Sequence, residues 1–68
     1  MMHVQVTKVF EGTKTTTMQE GATVRAVLQD LNVEHEGYTL TRNGDVVGLD
    51  TTVRHNDHIV LTKKVDAG

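Results

Sequence analysis

Sixty-eight residues hold one domain, and a chain of that size removes only roughly 60% of its unfolded surface from water on folding. The chain has no Cys, which excludes disulfides, thiolate nucleophiles and thiolate metal sites and fits a reducing, cytoplasmic setting. Seven basic against nine acidic residues leave a net charge of −2, too balanced for duplex nucleic acid or an acidic tail, and no apolar run approaches the ~18 residues of a membrane span.

Eleven Val, eleven Thr and one Ile make about a third of the chain β-branched, stiff at the first side-chain torsion and suited to a pleated surface. Met2, Val4 and Val6 alternate with His3, Gln5 and Thr7, the period of a half-buried strand. Glu11-Gly12 reads as a tight turn, Gly12 being free to take a positive φ. Thr13 to Met18 then forms a second strand and closes a hairpin. Its apolar content is low, so it is expected at a sheet edge, where Lys14 would discourage edge pairing.

After a connection at Gln19 to Ala22, Thr23 is placed to cap a helix with its hydroxyl. Val24, Val27, Leu28 and Leu31 follow at i, i+3, i+4 and i+7, one apolar stripe. Asn32 tolerates a left-handed stop, which predicts a helix of about nine residues. So short a helix is unstable alone and must lay its stripe on a sheet.

Val33 to Gly37 is a polar loop and Tyr38 to Arg42 a third strand. Asn43-Gly44 is the strongest hairpin signal, since both residues accept the positive φ of a type I′ turn. Asp45 to Val47 gives a short fourth strand. Gly48 to Arg54 crosses over, anchored by Leu49 and Val53, with room for one helical turn. Asn56-Asp57 makes a further turn, and His58 to Lys64 is the last strand. On that strand Ile59 and Leu61 share one face while Val60 and Thr62 share the other.

The order is β-β-α-β-β-β, an α+β class. Two hairpins and one helix must share a core, which a mixed sheet of four to five strands packed on the helix provides. The first and last strands are expected as its central, parallel neighbours. This is the β-grasp layout, with a domain at 1–65 and a C-terminal tail at 66–68.

With these elements placed, the chain resembles the ThiS and MoaD type of small sulfur-carrier proteins in the ubiquitin-like group. Glu20 to Val33, EGATVRAVLQDLNV, is similar to that family's helix segment. Arg42 to Val47, RNGDVV, resembles its Asn-Gly hairpin, and His55 to Leu61, HNDHIVL, its turn into the last strand. A C-terminal glycine at the family's distance completes the likeness. The resemblance implies that a partner of the E1 type, like ThiF or MoeB, binds the sheet and adenylates the terminal carboxylate with ATP. A thiocarboxylate or a lysine conjugate follows, and a biosynthetic enzyme accepts the sulfur. ATP is thus used by the partner, with no cofactor bound to this chain. The reactive position would be Gly68, preceded by Ala67 where the family carries a second glycine. Glycine suits such a tail because a backbone without Cβ threads a narrow channel closely.

On that footing Val60 and Thr62, with Lys63, Lys64 and Arg42 around them, are the candidate docking residues on the exposed sheet face. His3, His35, His55 and His58 fall on different elements, so they are read as surface groups rather than as a metal site. A chain with one small core has no room for a deep catalytic pocket and is read as a monomeric protein substrate, not an enzyme. The rival reading is a binding module that docks non-covalently through its sheet and makes no use of the tail. A nucleic-acid module is disfavoured by charge and by the lack of surface aromatics for stacking.

Overall fold

The computed structural model describes residues 1–64. Five strands and a helix follow one another as β1 (Met2–Lys8), β2 (Gly12–Met18), α1 (Val24–Asp30), β3 (Tyr38–Arg42), β4 (Asp45–Val46) and β5 (Asp57–Lys63). The strands form one sheet in the order β2-β1-β5-β3-β4. β1 and β5 lie parallel at its centre, Val6 beside Ile59, while β1–β2, β3–β5 and β3–β4 are antiparallel. This is the β-grasp arrangement, and β2 takes the edge that its threonines predict.

The core follows from the two periods in the sequence. Val4, Val6, Ile59, Leu61 and Leu40 come from the helix side of the sheet and Val24, Val27 and Leu28 from the helix, all buried, with Val53 of the crossover beside them. Each such side chain gives roughly 1.5–3 kcal/mol on burial, which holds a helix of two turns that would not persist alone.

Every first-turn donor of α1 has a partner. The hydroxyl of Thr23 accepts from the Ala26 amide at 3.3 Å and its carbonyl from Val27 at 3.1 Å. Val24 donates to the Thr51 carbonyl at 2.9 Å and Arg25 to that of Leu49 at 3.0 Å. The crossover thus supplies what the helix leaves unsatisfied. At the other end Asn32 takes φ +56°, Val33 donates to the Leu28 carbonyl and Asn32 to that of Gln29. These are the two bonds of a Schellman stop. The stop comes after Asp30, so the helix is seven residues and not nine, with Leu31 as its C-cap.

Some boundaries differ from expectation. The first turn centres on Val9-Phe10, closed by the Glu11 amide on the Lys8 carbonyl at 2.9 Å, and β2 begins at Gly12. β4 spans only Asp45–Val46, one residue shorter than expected, although Val47 still donates to the Leu40 carbonyl at 2.9 Å in the same register. The crossover makes a hydrogen-bonded turn at Gly48–Thr51 and no helix. Asp57 is the first residue of β5, not part of a turn; His55-Asn56 turns instead, with Asn56 at φ +67°.

Candidate functional site

The register of the sheet places one set of side chains away from the helix. Across its middle runs a single row from all five strands: Val46, Thr41, Val60, Thr7 and Thr13. Thr39 and Thr62 lie side by side above it, and His58, Gln5 and Thr15 below. Not one of these positions is Asp, Glu, Lys or Arg, in a chain that is 24% charged. Depletion of charge is what sets the centre of a protein–protein contact apart from ordinary surface. The threonine hydroxyls are partly occupied within the sheet. Thr7 Oγ1 lies 2.6 Å from His58 Nε2 and 2.7 Å from Thr13 Oγ1, and Thr41 donates to the Val60 carbonyl at 3.3 Å.

Val60 and Thr62 therefore share this face, as their alternation with Ile59 and Leu61 predicts. Val60 is half-buried between Thr7 and Thr41 rather than fully exposed, while Thr62 is exposed. Lys64 follows the strand, exposed, with its amide on the Gly37 carbonyl at 2.9 Å.

Arg42 is not with them. It stands opposite Ile59 in the register, on the helix side, and its guanidinium reaches Asp57 Oδ2 at 3.3 Å and the Thr52 carbonyl at 3.0 Å. Asp57 is 8% exposed and also accepts from the Arg54 amide at 2.7 Å. The pair ties β3, β5 and the crossover together, so Arg42 is a structural cation. Period-2 reading carries the signal: Leu40 faces inward, hence so does Arg42, and Ile59 faces inward, hence so does Asp57. Lys63 also belongs to the helix-side register, opposite Tyr38.

Two of the histidines, read from sequence as lying on different elements, come together. The ring of His55 takes the His3 amide at 3.1 Å and lies tilted against the His3 ring, 5.4 Å between centroids. His58 is engaged by Thr7. Among the described residues no three His, Asp or Glu come together as a metal requires, and none of the described helices is long and apolar enough to cross a membrane. Gly68 and Ala67, the expected reactive end, lie outside the described residues.

The structure shows one further exposed residue that the sequence does not mark. Phe10, the only Phe, is fully exposed at the β1–β2 turn with φ +69°. A side chain with a Cβ in that region costs roughly 1–2 kcal/mol.

The ThiS family model matches residues 5–65, which covers β1 from Gln5 onward and all of β2, α1, β3, β4 and β5. The chain belongs to the ThiS family. It is a small ubiquitin-like protein of the sulfur-carrier type. Solved structures of the same fold include small archaeal modifier protein 1 of Haloferax volcanii, 17% identical with a TM-score of 0.79 over 94% of this chain and 99% of that one. A ubiquitin-like protein of Trypanosoma brucei is 20% identical, with a TM-score of 0.70 over 94% and 95%. The ubiquitin of Caldiarchaeum subterraneum is 20% identical, with a TM-score of 0.66 over 98% and 98%. At these identities the likeness is one of fold. No curated protein sequence matches the chain.

Proposed function

We propose that this ThiS-family protein is a carrier whose Gly68 carboxylate is activated by an ATP-dependent adenylating enzyme. The observation that carries the reading is the family match over residues 5–65. In the step proposed, a carboxylate oxygen of Gly68 attacks the α-phosphorus of ATP and pyrophosphate leaves. A sulfur nucleophile then attacks the acyl carbon and AMP leaves, which loads sulfur onto the chain. A lysine amine at the same carbon gives a conjugate instead, in keeping with the neighbours named as modifiers and ubiquitin. The chain itself is substrate and not catalyst, binds no cofactor, and acts in the cytoplasm.

The uncharged sheet face around Val60 and Thr62 is proposed to dock on the enzyme, with Lys64 at its border. Docking there supports the chemistry because β5 runs directly into the tail: a rigid strand fixes where the terminal residues begin. Ala67 in place of glycine adds a methyl next to the reacting residue, and overpacking a tight site costs roughly 1–3 kcal/mol. Ala67→Gly is therefore expected to speed activation. Ala67 also favours the rival reading, a module that docks without tail chemistry.

Intact-mass measurement after incubation with ATP and a ThiF- or MoeB-type enzyme separates the two. The carrier reading expects an adenylate or thiocarboxylate on the wild-type chain and none once Gly68 is deleted. Unchanged mass, together with binding that survives loss of residues 67–68, would establish the non-covalent module instead.

A further inference from the structure

We propose that Phe10 is an aromatic anchor that inserts into an apolar, carboxylate-rimmed pocket on the adenylating enzyme, next to the channel that takes the tail. The proposal rests on the carrier reading above and adds a contact separate from the flat sheet face.

Three observations carry it. First, the phenyl ring has nothing to do for the fold: it is fully exposed, and no residue of the core touches it in the role that Val4 or Val6 plays. Secondly, its backbone is held at φ +69° in the third position of a turn closed by Glu11 on Lys8, a place where glycine or asparagine is the unstrained choice. A large aromatic kept at a strained, exposed turn serves something outside the chain better than it serves the chain.

Thirdly, the turn lies at the tail end of the sheet. β1 and β5 are parallel, Lys8 pairs with Leu61, and Val9 donates to the Leu61 carbonyl at 3.1 Å. The hairpin tip and the residues that lead into the tail therefore leave the sheet at one edge. An enzyme that accepts the tail meets Phe10 in the same approach.

The partner's chemistry follows from the charged groups at that end of the sheet. Lys8 is held by Glu11 at 3.2 Å and lies over the Tyr38 ring, while Lys63 and Lys64 have no ion pair among the described residues. A rim of carboxylates around an apolar pocket complements both the ring and the ammonium groups of Lys63 and Lys64, and such rim charges act on the rate of encounter.

Phe10→Gly and Phe10→Asn separate an anchor from a structural role. Both fit a positive φ, so both are expected to melt at or above the wild-type temperature. With an enzyme that modifies the wild-type chain, the anchor predicts a KM raised roughly tenfold or more at unchanged kcat. Phe10→Tyr should keep most of the affinity. Lys63→Glu with Lys64→Glu should slow association most at low salt. A KM that stays at the wild-type value in both Phe10 variants overturns the anchor and leaves the carrier reading intact. A wild-type chain that such enzymes neither bind nor modify overturns the carrier reading, and the anchor with it.

Discussion

Asp57 shows how one residue closes the helix side of the sheet. Its carboxylate takes the Arg54 amide and the Arg42 guanidinium, so three segments meet on one buried group. Asp57→Ala leaves both donors without that acceptor at a largely buried site, and the cost expected is about 1–3 kcal/mol in urea unfolding. Arg42→Ala should cost a similar amount and the double variant less than the sum, because the two share an interaction. Additive losses would show that the pair does not couple. Gly44, at φ +87°, makes a second residue-scale test. Gly44→Ala meets no neighbouring atom, so any loss reports backbone strain alone, about 1 kcal/mol.

Elements were legible where a period or a turn dictates the outcome. The alternation of β1, the stripe of α1 and the Asn43-Gly44 turn all appear where the residues put them, because each rests on local chemistry that tertiary contacts reinforce. Boundaries moved at the ends of elements: β4 closes at Val46, one residue before the expected end, and α1 stops early because Asn32 and Val33 cap it. The proposed docking face is legible in part. Val60 and Thr62 follow from alternation, but Arg42 was grouped with them by charge and proximity, and the phase set by Leu40 places it on the other side. The neutrality of the whole face needed the register of five strands at once. Nothing in the sequence marks Phe10, since a positive φ at an aromatic residue has no local signature.

The same scale yields two tests. Leu28→Ala removes the centre of the helix stripe and should cost about 2–5 kcal/mol, a large part of the ~5–15 kcal/mol typical of a folded domain. Near-UV and far-UV circular dichroism should both be lost at moderate urea; retention of the wild-type midpoint would contradict the packing described. Val60→Asp belongs to the outer face. It should cost about 1 kcal/mol through strand preference yet abolish docking, measured by calorimetric titration with the adenylating enzyme. Undiminished affinity in that variant would place the contact elsewhere.

At the scale of the whole molecule, the chain divides its labour between two sides of one sheet. The helix side spends nearly all its large apolar residues on a single core, which a chain of this length needs in order to fold at all. The far side is left neutral and rich in threonine, flat enough for a partner to cover. The central parallel pair β1 and β5 brings the hairpin tip and the end of β5 to one end of the sheet. The account therefore stands or falls on whether Gly68 is a site of reaction. Exchange of labelled pyrophosphate into ATP by a ThiF- or MoeB-type enzyme reads that step without needing any later chemistry. Exchange that depends on the wild-type chain and vanishes when Gly68 is deleted is the predicted result; exchange absent with the full chain, or unchanged by the deletion, would contradict it.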